Sequence, residues 1–307
     1  LGWFARSHGL AANQIVAVEA VDAQGRVVTA DADRNPDLFW ALRGGTAPVV
    51  VTAVELALVP VAQVWAGGLL WPLERAADVA HAWREWTETV PDAVTSLARI
   101  LRYPPLPELP DALRGRSFVS VEVAIQADAD EAARLLEPLR ALAPELDTVR
   151  PMPPSELSSV HGDPVDPVPA RGEAVVLSEL TPASVGAVLD AALAPAAAPL
   201  LSIEVRQLGG ALSPGRGDGG AVSAVDGAGL VFVLGIVPVP EAAEQVRAAA
   251  AHVIDGLGAY SSGAVVKNFA ETPAPASAVY GAAVTGLREV AAAWDPDGVI
   301  NLGHPLD

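Results

Sequence analysis

The sequence contains no cysteine among its 307 residues. Disulfide bonds, thiolate metal sites and cysteinyl attachment of a cofactor are therefore excluded within this segment. Lysine is almost absent, and 37 acidic residues against 19 Lys and Arg give a formal net charge of −18. Because no local run of Lys or Arg offsets this acidity, we expect no nucleic-acid partner. The five histidines show no metal-ligand spacing, so no metal site is expected either.

A hydrophobic run suited to crossing a membrane is also missing. The longest uncharged stretch, residues 56–73, is shorter than the roughly 20 residues of a membrane-spanning helix, and Pro60 and Pro72 interrupt it. We therefore expect a soluble protein with no membrane partner. The sequence begins without a methionine or a signal-peptide pattern, which leaves the localisation open between cytoplasmic and secreted.

The length and the 51% hydrophobic content suit two packed cores. Strand-like and helix-like patterns interleave without a strict strand–helix–strand rhythm. The predicted fold class is α+β, with an antiparallel or mixed sheet covered by helices on one face. Strands are predicted at residues 15–30 as a hairpin, 49–59, 64–71, 118–125, 201–208, 230–237 and 265–269, helices at 38–42, 73–89, 130–142, 182–193, 241–257 and 280–295, and a long loop at 151–172.

Three short stretches are distributed, in order, from one end of the chain to the other. The first is residues 1–16 followed by NPDLFWALRGG at 35–45, the second is SIEVRQLGGALS at 202–213, and the third is NFAE at 268–271 followed by WDPDGVINLGHP at 294–305. Together they resemble the berberine-bridge-enzyme-like group of FAD-linked oxidases, within the vanillyl-alcohol-oxidase or PCMH-type FAD-binding superfamily.

The resemblance implies a PCMH-type FAD-binding domain in two pieces with a second domain inserted. Residues 1–62 correspond to the second half of the FAD-binding domain, and residues 260–307 return to it as a berberine-bridge-like C-terminal segment. Residues 63–259 correspond to the substrate-binding domain. The family's front section, which carries the pyrophosphate loop, has no counterpart in this sequence, so we expect the N-terminal part of the FAD-binding domain to be lacking.

The resemblance also implies the activity of an FAD-dependent oxidase on an alcohol, sugar or natural product. Such enzymes transfer a hydride from a small-molecule substrate to flavin, which dioxygen then reoxidises. Gly2, Val21 and Asn268 match cofactor-facing positions and are the expected cofactor-binding residues. Burial in the hairpin core is the alternative for Val21, and capping of a neighbouring turn is the alternative for Asn268.

Strand alternation gives the faces on which three candidate site residues lie: Glu204, Arg206 and Gln207. Glu204 and Arg206 point to one face of their strand, and Gln207 points to the other. If the first face is the floor of a substrate pocket, Glu204 is the candidate catalytic base. Arg206 and Gln207 are then the candidate substrate-binding residues. The alternative is an exposed ion pair between Glu204 and Arg206, which would contribute little.

Departures from the family pattern favour a second hypothesis. Val266 stands where relatives often have a tyrosine, and Asn301 and Gly303 stand where Arg-x-Asn is common. Residues 46–48, Thr-Ala-Pro, replace a run of glycines, and proline removes a backbone donor. A flavin-free relative that acts as a small-molecule binding protein or a non-redox enzyme therefore stays open, as does a fragment without activity. The sequence does not indicate the oligomeric state.

Overall fold

The structure is a computed structural model that describes residues 1–163, 166–216 and 219–306. Its strands are β1 (Ile15–Val21), β2 (Val27–Asp31), β3 (Val50–Leu56), β4 (Val64–Pro72), β5 (Val94–Arg102), β6 (Ser117–Ile125), β7 (Leu146–Asp147), β8 (Arg150–Met152), β9 (Ala170–Leu177), β10 (Ser202–Gln207) and β11 (Gly229–Ile236). Its helices are α1 (Ala5–His8), α2 (Pro36–Leu42), α3 (Ala76–Thr87), α4 (Ala129–Arg140), α5 (Pro182–Leu193), α6 (Ala242–Gly256), α7 (Ala276–Tyr280) and α8 (Val284–Trp294).

The chain divides into two compact units. The first unit comprises Leu1–Pro60, Gly209–Asp226 and Pro273–Asp307, and the second comprises Val61–Leu208 and Gly227–Thr272. Residues 209–226 thus lie with the first unit and residues 260–272 with the second, unlike the segments predicted from the sequence. The assignment of these units to an FAD-binding and a substrate-binding domain stays a prediction.

The second unit is built on one antiparallel sheet. Its strands follow the order β7-β4-β6-β5-β10-β11-β9, and β8 also pairs with β4. Every pairing among these strands is antiparallel. Apolar side chains of α3, α4, α5 and α6 form one buried cluster with alternate residues of the strands, such as Val119, Val121 and Val123 of β6. The predicted α+β class, with helices on one face of the sheet, is confirmed.

Tryptophan side chains anchor the layer between these helices and the sheet. The indole nitrogen of Trp71 donates to the carbonyl oxygen of Leu142 at 3.0 Å, and that of Trp86 donates to Leu135 at 2.7 Å. Both side chains are buried. Since a buried indole N–H needs an acceptor, these bonds allow the large apolar rings to pack in the core without a desolvation penalty.

Two helix starts follow the local sequence. Thr181 precedes α5 with Pro182 in the first helical position, and its hydroxyl accepts from the backbone N–H of Ser184 in a capping box. The carboxylate of Asp128 accepts from the backbone N–H of Glu131 at the start of α4. The helix predicted over residues 182–193 is confirmed with these bounds.

The first unit contains the predicted hairpin. β1 pairs with β2 and β3, both antiparallel, and the sheet order is β2-β1-β3. Asp22 fixes the turn, because its Oδ1 accepts from the backbone N–H groups of Gln24 at 3.0 Å and Arg26 at 2.9 Å.

β3 is the terminal strand of this sheet within the described part of the chain. Its side chains are exposed, with Val50 at 54%, Val54 at 47% and Leu56 at 48% of their full accessible area. The first unit therefore presents an apolar strand at one edge of its sheet.

Two predictions for the second unit were wrong. Residues 265–269 contain no strand; Lys267–Phe269 form a single 3₁₀ turn instead. The long loop predicted over 151–172 instead includes the end of β8, a 3₁₀ helix at Pro154–Ser159 and the start of β9. Residues 164 and 165 of that stretch lie outside the described residues.

The strand pattern also missed β5, which lies between β6 and β10.

Gly67 in β4 provides a test of this packing. Its φ is +149°, and a Cβ at this position would lie 2.6 Å from the carbonyl oxygen of Thr148. That oxygen belongs to the backbone and cannot rotate away, so we expect Gly67→Ala to lower the free energy of unfolding by about 1–3 kcal/mol. Urea denaturation measures this change.

Gly68→Ala is the matched control for Gly67→Ala. A Cβ at Gly68 would lie 3.4 Å from Cγ of Glu122, which is an ordinary contact distance. We expect a clearly smaller loss of stability for this variant. Equal losses for the two variants would contradict the assignment of the strain to Gly67.

Candidate functional site

Charged side chains gather on the face of the sheet opposite the helices. Cross-strand pairing sets Arg99 of β5 directly opposite Ser120 of β6 on one side and Glu204 of β10 on the other. Opposite residues of an antiparallel pair project from the same face, so these side chains share it. We call Arg99, Glu122, Glu204 and Arg206, together with His161 from the loop after β8, the charged cluster.

Arg99 lies at the centre of the charged cluster. Its Nε donates to Ser202 Oγ at 2.7 Å, and its Nη1 donates to Glu122 Oε1 and to the carbonyl oxygen of His161, each at 3.3 Å. Its Nε also lies 3.9 Å from Oε2 of Glu204. The guanidinium is buried. Burial alone would lower the pKa of Arg99, but the charges of Glu122 and Glu204 outweigh it and raise that pKa.

Glu122 is held between Arg99 and His161. Its Oε2 lies 2.6 Å from Nδ1 of His161, and the residue is only 4% exposed. Burial alone would raise the pKa of Glu122, but the hydrogen bond from His161 and the charge of Arg99 together hold it below its usual range. Glu122 is therefore a buried, ionised carboxylate that joins the loop to the sheet.

Glu204 and Arg206 form a second pair on the same strand. Arg206 Nε donates to Glu204 Oε1 at 2.6 Å, and the side chains are 20% and 4% exposed for Arg206 and Glu204. The pair is thus partly buried, unlike the exposed ion pair of the alternative interpretation. The guanidinium carbon of Arg206 lies 5.1 Å from the centre of the Phe269 ring, a cation–π distance.

The two oxygens of Glu204 differ in what they can do. Oε1 accepts the hydrogen bond from Arg206, whereas Oε2 is 3.9 Å from Arg99 Nε, which is too far for a hydrogen bond. Oε2 therefore accepts no hydrogen bond from either arginine. Two arginines, Arg99 and Arg206, thus accompany the two glutamates of the cluster.

Gln207 does not share the face of Glu204. Its Oε1 accepts from the Ser96 hydroxyl at 2.8 Å, and its Nε2 donates to the carbonyl oxygen of Thr87 at 3.2 Å. The same hydroxyl accepts from the indole N–H of Trp83, a residue of α3, at 3.0 Å. Gln207 therefore bridges the sheet and α3, and its predicted role in lining a substrate pocket has no support in this packing.

The predicted cofactor residues occupy three different settings. Gly2 is exposed ahead of α1, and its carbonyl oxygen accepts from Ala5 at 3.0 Å. Val21 ends β1, opposite Val27. Asn268 is exposed in a 3₁₀ turn of the second unit, not on the strand predicted there. The structure does not bring Asn268 into the charged cluster through any contact among the described residues.

The loop after α2 packs tightly within the first unit. A Cβ at Gly44 would overlap the carbonyl oxygen of Val222, and the backbone N–H of Val222 donates to the carbonyl oxygen of Arg43 at 3.3 Å. The hydroxyl of Thr46 donates to the carbonyl oxygen of Leu302 at 3.5 Å. The space that the glycine leaves beside the backbone is thus filled by residue 222 of the same unit.

Sequence reasoning missed Arg99, Glu122 and His161. A signal was present for Glu122, because the alternation that buries Val121 and Val123 under the helices puts Glu122 on the opposite face. Arg99 carried no such signal, since β5 itself was not predicted. Its position depends on pairing with β10, more than 100 residues further along the chain.

Within the described residues, no helix is both long enough and apolar enough to cross a membrane. The same part of the chain holds no group of three or more His, Asp and Glu side chains arranged to bind a metal ion.

Comparison with known sequences gives local matches to FAD-linked oxidoreductases. An FAD-dependent monooxygenase from Penicillium roqueforti is 33% identical over 87 residues, which are 28% of this chain and 17% of that protein. Xylooligosaccharide oxidase from Thermothelomyces thermophilus is 54% identical over 43 residues, 14% of this chain and 9% of that protein. The matched segments therefore span less than a fifth of these relatives. No family model matches the chain.

Comparison with solved structures covers much more of the chain. Berberine-bridge-enzyme-like protein 1 from Physcomitrella patens matches 100% of this chain and 68% of its own, with a TM-score of 0.79 and 19% identity. A xylooligosaccharide oxidase from Myceliophthora thermophila, solved with xylobiose, matches 96% of this chain and 66% of its own, with a TM-score of 0.72 and 18% identity. The predicted resemblance to berberine-bridge-enzyme-like proteins is confirmed, and the fold is theirs.

Replacing Arg99 with methionine tests the charged cluster. Arg99→Met leaves Glu122 and Glu204 without their shared cation in a buried setting, so we expect the free energy of unfolding to fall by about 3–5 kcal/mol. Chemical denaturation measures it. Arg134→Met removes an arginine whose partner Glu131 is on the exposed face of α4, and it should leave stability almost unchanged. Similar effects of both substitutions would contradict the central role of Arg99.

The lowered pKa of Glu122 predicts that the stability of the protein depends on pH. Because the folded-state pKa lies below the ordinary value of 4.5, its contribution is complete above that pH and is lost as the pH falls through the folded-state pKa. We expect the stability difference between the wild type and Glu122→Gln to shrink between about pH 6 and about pH 3. Denaturation at each pH measures this difference, and Glu137→Gln, at an exposed position of α4, serves as the control. A difference that stays constant with pH would contradict this account.

Proposed function

We propose that this chain, which has the fold of the berberine-bridge-enzyme-like oxidases, provides the substrate side of an FAD-dependent oxidase. Its substrate is an alcohol, a sugar or a natural product. FAD, when bound, supplies the acceptor for a hydride, and dioxygen reoxidises it. The observation that supports the proposal best is the buried Glu204 on the face of the sheet opposite α3, α4, α5 and α6, with one oxygen left for a bound molecule.

Glu204 is the proposed catalytic base. Loss of a hydride from a carbon that bears a hydroxyl requires that the hydroxyl proton leave, and a positioned carboxylate can accept it. Oε2 would take this proton, while the bond from Arg206 to Oε1 fixes the orientation of the carboxylate. Arg206, beside Phe269, is the proposed substrate-binding residue, because its guanidinium is partly exposed on this face.

The loop after α2, residues 43–48, does not fit FAD. Its close approach at Gly44 is filled by the backbone of Val222, which leaves no cradle for a cofactor there. This loop therefore has no proposed contact with flavin. Gly2, Val21 and Asn268 stay the proposed cofactor-binding residues.

The same observation favours a second candidate function. If the loop at residues 43–48 serves packing alone, the chain can keep its sheet and its charged cluster as a binding surface without flavin chemistry. This flavin-free binding protein would hold a small molecule at the charged cluster and leave it unchanged.

Spectroscopy of the full-length protein separates the two candidates. The oxidase should show the two visible bands of oxidised flavin, either as purified or after FAD is added. In the absence of oxygen, these bands should disappear when a substrate reduces the flavin. Xylobiose, chitooligosaccharides and (S)-reticuline are suitable first compounds, because solved relatives are named for them or were solved with them. Absence of flavin bands after FAD addition would overturn the oxidase proposal in favour of the binding protein.

A substitution at Glu204 tests the proposed base. Glu204→Gln keeps the shape of the side chain but cannot accept the proton, so we expect flavin reduction to slow by about 100- to 10,000-fold with unchanged flavin bands. Glu85→Gln, at a position of α3 whose side chain is 72% exposed, should reduce flavin at the wild-type rate. A Glu204→Gln variant with the wild-type rate would remove Glu204 from the mechanism.

A further inference from the structure

A cavity of about 270 Å³ lies on the face of the sheet opposite α3, α4, α5 and α6, and Glu122 and His161 of the charged cluster form part of its lining. Strands β4, β5 and β6 supply its floor, and the segments around residues 103–113 and 146–162 supply its walls. Ser120 and Glu204 lie on either side of Arg99, so two strand spacings, about 10 Å, separate their backbones. The cavity is thus next to the proposed base, but it does not contain it.

The floor carries a hydroxyl without a partner. Ser120 is 1% exposed, and its Oγ makes no hydrogen bond to any described residue. Buried hydroxyls are almost always hydrogen-bonded, so this group points to a partner that the protein itself does not supply. The phenol of Tyr103 also lines the cavity, and burial raises its pKa, which keeps it a neutral donor.

The walls are mostly apolar. Four large apolar side chains line them: Leu113, Leu146, Met152 and Val160. Leu70 of β4 and Leu101 of β5 add two more on the floor. Pockets for small organic molecules begin at about 300 Å³. A volume slightly below that limit fits a molecule of one ring, packed against aliphatic side chains.

The charge of the lining selects against ions. Glu122 borders the cavity as an ionised carboxylate, and this disfavours an anion. Arg99 already compensates Glu122, so this carboxylate does not require a cation. Arg150, which also lines the cavity, pairs with Glu156 at 2.7 Å and therefore does not require an anion. A neutral molecule is the class that this lining accommodates.

We propose that this cavity binds a neutral ring bearing a hydroxyl group, with Ser120 and Tyr103 as its hydrogen-bonding residues. The proposal rests on the proposed function in one respect. The ring is the part of the substrate that lies away from Glu204, so the cavity selects substrates and takes no part in the chemistry. Binding of the ring itself requires no flavin.

Binding of small probes to the protein without FAD tests the proposal. Benzyl alcohol, toluene and benzoate share one ring and differ in the group attached to it, and calorimetry or ligand-observed NMR gives their dissociation constants. Benzyl alcohol should bind about 2- to 10-fold more tightly than toluene, because it supplies a hydrogen-bonding partner for Ser120. Benzoate should bind more weakly than both. Equal binding of the three probes, or binding of none, would overturn the proposal.

Ser120→Ala separates recognition from a structural role. This variant should bind benzyl alcohol about 2- to 10-fold more weakly and toluene unchanged. Its melting temperature should equal or exceed that of the wild type, since the substitution removes an unpartnered hydroxyl. A lower melting temperature with an unchanged preference for benzyl alcohol would mean that Ser120 is structural, and the proposal would fall.

Gly68→Ala tests the location. The added methyl group projects toward Glu122 on the cavity floor at an ordinary contact distance. It should therefore weaken the binding of both benzyl alcohol and toluene without unfolding the protein. Gly186→Ala in α5 adds the same group in open space, away from the cavity, and should change neither affinity. Equal effects of the two substitutions would place the probes elsewhere. A protein that binds benzyl alcohol as expected but shows no flavin bands would keep this proposal while the oxidase proposal fails.

Discussion

Arg99 holds a positive charge on a buried sheet face, and the chemistry of that face depends on it. One guanidinium reaches β6 through Glu122, β10 through Ser202 and Glu204, and the neighbouring loop through the carbonyl of His161. Without this cation Glu122 and Glu204 would lose a positive charge that they share, and burial of a carboxylate without such a partner is strongly disfavoured. The face that carries Arg99 can therefore be polar, while the other face of the same strands packs against α3, α4, α5 and α6 as an apolar core.

Features set by neighbouring residues could be predicted from the sequence. The capped start of α5 at Thr181 needs only residues within one helical turn. The common face of Glu204 and Arg206 needs only the alternation of a strand. The turn at Asp22 likewise depends on bonds to residues two and four positions further on. In each case the residues concerned lie within four positions of one another in the sequence.

Features set by distant pairing could not be predicted in the same way. β5 carries leucine, alanine and arginine, which also suit a helix, and it becomes a strand because β6 and β10 pair with it on both sides. Conversely, Val265 and Val266 favour a strand, yet near them the described residues provide only an isolated bridge between Leu177 and Ser261. The charged cluster stayed hidden because its members come together only through this long-range register.

The terminal strand β3 has a practical consequence for anyone who produces pieces of this protein. Its outer backbone groups have no neighbouring strand in the described part of the chain, and Val50, Val54 and Leu56 are solvent-exposed. A flat, apolar strand edge is a template on which other copies can add, which leads to aggregates. Residues 1–60 expressed alone would be prone to precipitate as concentration rises, and a lysine or proline placed on β3 is the natural means of keeping such a fragment in solution.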